Sequence, residues 1–307
     1  SLLLPIGSVA AQSTGQSTGG VDAPRILIIH SHDAEYRWTA DMNEVLHRRL
    51  AAAYPDVRLF VEYLDAKRHD TEAIRPPFEA LIEAKYGRAD LDLVAVTDNP
   101  AFELVLERRA DLFAGTPIVF AGVNDFDAGD LEGIPGVTGV AEQADFRGTV
   151  ELATRLHPQA EYLATISDST VTGRINQAEF DRMADSIGSG LKVIRLADLS
   201  RAELGRRLRD LPENGIVVNL SLFRTADGTV FSDNEGNRFI VEHTANPVYT
   251  AWDVGIGTGV VGGLVVSARG QAEAQSDLIL EILGGASPQN LLAVTDSPNR
   301  YIFDYAT

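Results

Sequence analysis

Cysteine is absent from the 307 residues, which excludes disulfides, thiolate-bound metals, iron–sulfur clusters and a cysteine nucleophile. Cations are scarce: Lys and Arg number 26 against 44 Asp and Glu, giving a formal charge of −18 and a pI near 4.7. Such a surface lacks the basic stripe that replaces counterions on nucleic acid, and it repels anionic lipid headgroups. Long apolar runs are missing as well; the run over residues 2–11 is about half of the ~20 residues that span a bilayer. What is there is an ordinary soluble composition, 45% hydrophobic and 23% charged, long enough for one substantial core or two smaller ones.

The run LLLPIGSVAA, residues 2–11, is followed by QSTGQSTGG over residues 12–20. Small residues at Ser8 and Ala10, or at Val9 and Ala11, are placed as in the cleavage region of a secretory signal, and the polar stretch suits a flexible leader. Residues 1–23 are therefore read as a signal remnant and leader, the alternative being an apolar arm packed on the body. The far end, Asp304-Tyr305-Ala306-Thr307, has no charged tail or helix stop and is read as a cut within a longer chain.

Between the ends, β-branched runs alternate with amphipathic segments. Arg25-Ile26-Leu27-Ile28-Ile29-His30 has the pattern of a strand buried on both faces. Helices are expected over residues 39–54, 72–85, 146–156, 173–187 and 201–211. Further strands are expected over 57–63, 91–96, 117–121, 162–166, 191–196 and 215–220. Strands alternating with helices imply parallel sheets covered on both sides. The cycle restarts after residue 140, so two α/β lobes are expected, meeting near residue 140 and again near residue 253.

Ligands of open parallel sheets sit beyond the carboxyl ends of strands. Those ends carry Ser31-His32-Asp33, Thr97-Asp98-Asn99, Asn124-Asp125, Ser167-Asp168-Ser169-Thr170 and Asn219-Leu220-Ser221, with Tyr36 and Trp38 close by. This inventory suits a small, hydrogen-bonded polar ligand; the alternative is that short polar residues gather there to cap helices and make turns. Three sharper motifs compete. His30-Ser31-His32 resembles a metal-binding HxH pair, since alternate strand residues share a face, but the other histidines fall on helices or loops. Gly257-Thr258-Gly259-Val260-Val261-Gly262 matches GxGxxG, yet it is followed by Gly263-Leu264-Val265-Val266-Ser267, which reads as a strand where the dinucleotide fingerprint needs a helix. Gly188-Ser189-Gly190 has the wrong order for a nucleophile elbow. No cofactor, metal or catalytic activity is therefore expected, and a metal-dependent hydrolase is the residual enzymatic alternative.

Leu93-Val94-Ala95-Val96-Thr97-Asp98, followed by Thr116-Pro117-Ile118-Val119-Phe120-Ala121-Gly122-Val123-Asn124-Asp125, is similar to the ABC-transporter substrate-binding proteins of the type 1 periplasmic-binding fold. The resemblance continues through Gly136-Val137-Thr138-Gly139-Val140, Leu152-Ala153-Thr154-Arg155-Leu156-His157-Pro158, Pro247-Val248-Tyr249, Gly262-Gly263 and Ile282-Leu283-Gly284-Gly285. It covers roughly residues 24 to 300. Ile28-Ile29-His30-Ser31 with Tyr36 and Trp38, Val61-Glu62-Tyr63-Leu64-Asp65 and Trp252-Asp253 look most like one subgroup, the extracytoplasmic sensor domains of bacterial histidine kinases and diguanylate cyclases.

The resemblance implies two lobes closing on a hinge around a small polar, amino-acid-like ligand. Lobe one is expected to comprise residues 24–140 plus 254–286, and lobe two 141–253 plus a recrossing tail, 287–307. The implied ligand-binding residues are Ser31, His32, Tyr36, Trp38, Asp98, Asn99 and Asn124 from lobe one, with Glu142, Asp168, Thr170, Ser221, Trp252 and Asp253 from lobe two and the hinge. Asp168 and Asp253 are the candidates for a ligand amine, the aromatic rings being core or hinge packing in the alternative. The implied setting is periplasmic: a membrane-anchored sensor, with a homodimer, a membrane helix and a cytoplasmic signalling domain as partners, or else a free receptor serving an ABC permease.

Overall fold

Residues 23–184, 190–231 and 234–306 are described by a computed structural model of the chain; the leader over residues 1–22 and Gly188 and Ser189 of the elbow-like string lie outside them. The apolar run β1 (Arg25–His30) sits between β2 (Arg58–Tyr63) and β3 (Leu93–Thr97), followed by β4 (Ile118–Asn124) and β5 (Val137–Glu142). Together they form a five-stranded parallel sheet of order β2-β1-β3-β4-β5. Successive residues of β1 serve opposite faces: Ile26 and Ile28 join the core with Met42, Val45 and Leu46, whereas Leu27 and Ile29 pack with Phe78, Ile82 and Phe102. That double burial is why β1 reads as continuous rather than alternating. The covering helices are α1 (Arg37–Ala53), α2 (Thr71–Tyr86) and α3 (Asp98–Glu107).

The second cycle runs α4 (Phe146–Leu156), β6 (Tyr162–Ser167), α5 (Val171–Ala184), β7 (Lys192–Ala197), α6 (Arg201–Arg209), β8 (Gly215–Asn219), α7 (Glu235–His243), β9 (Val248–Thr250) and β10 (Gly262–Val265). After α8 (Ala268–Leu283) comes β11 (Arg300–Phe303), and the six-stranded sheet has the order β11-β10-β9-β8-β6-β7. Among the described strands of this sheet only β11 is antiparallel, paired along β10.

The chain passes between lobes after β5, again before α8, and a third time before β11. The second passage lies later than the sequence suggested. β10 falls within the 254–286 stretch expected in lobe one, but it pairs with β9 and β11 in the second sheet, and only α8 returns to pack on α1, β4 and β5. Glycine makes that placement possible: a Cβ on Gly262 would lie 2.1 Å from the Ile302 carbonyl oxygen, and one on Gly263 would lie 2.3 Å from that of Thr250. The tail expected wholly in lobe two also touches the first sheet, where Val294 bridges Val140.

Helix α8 is tied to the first sheet by two fully buried glutamines. Gln275 Nε2 donates to the carbonyls of Val96 (3.0 Å) and Val119 (2.9 Å). The β4–β5 register slips between Ala121 and Val123, and the Gly122 N–H donates instead to Gln271 Oε1 at 3.1 Å. Gln271 Nε2 in turn donates to the Ala141 carbonyl at 2.9 Å. The Gln271 amide thus meets backbone groups that the bulge would otherwise leave unpaired in the interior.

Candidate functional site

The strand ends of lobe one share a local conformation. Asp65 after β2, Asp98 after β3 and Asp125 after β4 all have positive φ, 62°, 64° and 55°. Asp tolerates the left-handed region better than most residues, at a cost of about 1 kcal/mol or more.

Several expected ligand contacts are committed within this rim. Ser31 Oγ donates to the Thr97 carbonyl (2.7 Å) and accepts from the Ala101 N–H (2.8 Å), joining β1 to α3. The Asn99 amide clasps the backbone of Asn124 in both directions, at 3.0 and 2.9 Å. Trp38 is buried in the α1 core with its side chain reaching the Asp98 carboxyl. The HxH pair is not a pair of alternate strand residues: β1 ends at His30, and His32 already belongs to the loop. The His30 ring nitrogens face Thr97 Oγ1 (2.9 Å) and Asn43 Oδ1 (3.3 Å), and its ring stacks on Tyr63. Burial lowers His30 to about 4, so it is neutral at pH 7. The GxGxxG string opens β10, not a helix.

The remaining groups converge on a residue absent from the expected set, Lys67, in the loop after β2. Its Nζ lies 3.7 Å from the centroid of Tyr36 and 4.1 Å from that of Phe223, which belongs to lobe two. Burial pulls the ammonium down to about 8, against the attraction of Asp98, Glu142, Asp168 and Asp33. Asp98 is 8% exposed; burial raises it to about 7, with Lys67 and the Thr97 and Trp38 side chains opposing. His32 stands beside it, Nε2 to Oδ2 at 3.9 Å and edge-on to Tyr36, and burial holds the imidazole well below its usual range. Neither Asp98 Oδ2 nor His32 Nδ1 has a hydrogen-bond partner.

Glu142, at the end of β5, forms the floor. Burial and the neighbouring Asp98 push its carboxyl up to about 8, against the Trp252 indole N–H, which donates to Oε1 at 2.6 Å, and Lys67. Gly122 separates the two carboxyls: a Cβ there would stand 3.3 Å from Asp98 Oδ1 and 3.5 Å from Glu142 Oε2. Trp252 lies edge-on to Phe146, and Asp253 beside it carries a buried Oδ1 without a partner. Burial raises Asp253 too, and Ser267, the N-cap of α8, opposes this. Glu142 ends β5 at the first passage, and Trp252 bridges Val266 beside the second.

From lobe two, Asp168 is spent on its own loops. Oδ1 accepts from Thr170 N (3.0 Å) and Oγ1, while Oδ2 accepts from Ser221 Oγ (3.3 Å), Phe223 N and Arg224 N (3.3 Å). Asp168, Thr170 and Ser221 therefore form the clasp that presents Phe223. Tyr36, His32, Asp98, Glu142, Trp252 and Asp253 are brought together; Ser31, Trp38, Asn99 and the backbone of Asn124 hold the frame around them. Lys67 and Phe223 were missed, although both follow strand ends, those of β2 and β8, where the search for ligand contacts begins.

Two parallel-sheet α/β lobes linked by three passages, with ionisable groups between them, define the two-lobed fold of the type 1 periplasmic binding proteins. A Streptococcus pneumonia ABC domain in complex with L-Trp is 16% identical, with a TM-score of 0.66 and 92% of each chain covered. A ligand-free, open substrate-binding protein with adhesive properties from Clostridium difficile is 14% identical, with a TM-score of 0.65 and coverage of 92% of this chain and 93% of that one. An ABC transporter solute-binding protein from Bacillus halodurans with bound myo-inositol is 14% identical, with a TM-score of 0.58 and coverage of 92% and 96%. No protein-family model and no curated protein matches the sequence.

Proposed function

We propose that the chain is an extracytoplasmic binding protein that clasps a small polar, amino-acid-like ligand between its lobes. The carrying observation is the Lys67 ammonium held between Tyr36 of one lobe and Phe223 of the other, over the buried carboxyls of Asp98 and Glu142. Buried polar atoms without partners are costly, and a ligand that supplies those partners stabilises the closed arrangement over the open one. Two of the similar solved structures hold L-Trp and myo-inositol in this fold. Thermal-shift and calorimetric screening against amino acids and polyols tests the reading. A ligand at ~100 times its Kd adds about 2.7 kcal/mol of stability, and Asp98→Asn with Glu142→Gln should abolish the effect. A full screen without stabilisation refutes it.

The role we favour is the input domain of a membrane-anchored bacterial signalling protein, acting as a homodimer, on the strength of the Ile28-Ile29-His30-Ser31, Tyr36 and Trp38 pattern. Differential ligand affinity for the closed state is then what reaches the output domain. The second reading, a free receptor for an ABC permease, is favoured by the names of the similar solved structures. Among the described residues no helix is long and apolar enough to cross a membrane. Reading the parent gene decides: a membrane helix and kinase or cyclase downstream supports the sensor, and a stop codon beside permease and ATPase genes overturns it.

A further inference from the structure

The cleft itself narrows the ligand class, an inference that rests on the ligand-binding reading above. An ammonium sandwiched between two rings is the geometry by which proteins hold cationic ligands, and here each lobe supplies one ring. Four carboxyl groups, Asp98, Glu142, Asp168 and Asp33, face that single ammonium, of which Glu142, pushed up to about 8, is mostly protonated at pH 7 and adds little charge. Asp168 is saturated by its own loop, whereas Asp98 is engaged only in part, by the Thr97 and Trp38 side chains: it is 8% exposed and its Oδ2 has no hydrogen-bond partner. The adjoining imidazole of His32 is uncharged and does not neutralise it. A further anion would enter this field at a cost, whereas a cation is drawn to it by the cleft and by the net charge of −18 alike.

Among the described residues Lys67 Nζ makes no hydrogen bond and no close ion pair, so ring faces and the surrounding field are what retain it. A loop lysine with four rotatable bonds can swing to solvent without disturbing either sheet. We infer that Tyr36, Phe223 and Asp98 form a cation cage divided between the lobes, that Lys67 is its built-in occupant, and that the ligand carries a charged nitrogen which displaces Lys67. The lysine thus closes the lobes weakly by itself and sets a threshold that the ligand must exceed, reducing apparent affinity by the fraction of molecules in which the cage is filled.

Calorimetry on the whole chain, with phenethylamine and choline as cationic probes, 3-phenylpropionate as the anionic one and 2-phenylethanol as the neutral one, tests this. Lys67→Ala should bind the two cations about tenfold or more tightly than the wild type, since a desolvated ring–cation contact is worth at least that factor. The neutral probe should not gain, and Asp98→Asn in the Lys67→Ala background should remove the cation gain. In the unmutated chain, the Lys67 ε-methylene proton signals, shifted upfield by the two rings, should move toward their solvent position as phenethylamine is added. Equal gains for 2-phenylethanol would mean that truncation merely opened space, and the inference fails. Binding of 3-phenylpropionate that Lys67→Ala abolishes would make Lys67 an anion anchor, overturning the inference while leaving the ligand-binding reading intact. No binding of any probe to either protein overturns the inference, and the amino-acid and polyol screen then decides the broader reading separately.

Discussion

Glu142→Gln should make this protein more stable at alkaline pH while leaving it nearly unchanged at pH 5. Glu142 is 6% exposed, and burial with the nearby Asp98 raises its carboxyl from 4.5 to about 8. A group whose folded pKa lies above its unfolded one contributes stability that is complete below the unfolded value and is lost as pH rises through the folded value. The window is therefore pH 4.5 to 8. Each unit is ~1.4 kcal/mol, so a shift of this size corresponds to a loss of up to ~5 kcal/mol by pH 9. Reorganisation of Lys67, Asp98 and Asp253, which also face the carboxyl, takes part of this back and leaves about 2–4 kcal/mol. Gln keeps an oxygen for the Trp252 N–H and carries no charge, so it escapes the loss. Urea unfolding followed by circular dichroism at pH 5, 7 and 9 measures the gap between variant and wild type. A gap that stays constant across that range, or that favours the wild type at pH 9, refutes the assignment of a buried, reluctantly ionised floor.

Three further outcomes follow from the same contacts. His30→Leu should flatten the acid limb: burial holds His30 near 4 against 6.5 when unfolded, so the wild type loses up to ~3 kcal/mol as pH falls from 6.5 to 4, measurable by urea titration at pH 7 and 4.5. Asp168→Ala should cost about 2–4 kcal/mol before any ligand is added, because Ser221 Oγ and the N–H groups of Thr170, Phe223 and Arg224 lose their acceptor; an unchanged melting curve would restore Asp168 as a ligand group. Gly263→Ala should destabilise by about 1–3 kcal/mol by driving β10 from β9, since its Cβ would meet the Thr250 carbonyl oxygen at 2.3 Å; denaturant unfolding reads the loss.

The strand–helix cycle is legible along the chain because its causes are local. The run Arg25–His30 is apolar at every step between its polar ends, and its strand is buried on both faces. The helix expected over residues 146–156 is α4 to the residue, with Asp145 capping it through the Gly148 N–H. Helix starts and buried parallel strands depend on a few neighbouring residues, so periodicity and caps suffice. Strand ends were also where the search for ligand contacts began, and Asp98 and Glu142 stand at two of them.

What the chain order could not disclose is which element lies beside which. β10 was readable as a strand, but its seat in the second sheet depends on Gly262 and Gly263 fitting against Ile302 and Thr250, residues remote from or opposite to it. Asp168 looked like a free carboxylate until the loop carrying Ser221 and Phe223, more than fifty residues on, closed over it. Lys67 and Phe223 have no motif, and they matter only because a loop of one lobe meets a loop of the other around Tyr36. Local pattern and side-chain chemistry determined the two βα series, the acidic surface and the polar strand ends. Long-range packing alone decided which of those polar groups are spent on holding backbone and which are left facing the cleft, because hydrogen-bond partners and desolvation are properties of the folded neighbourhood.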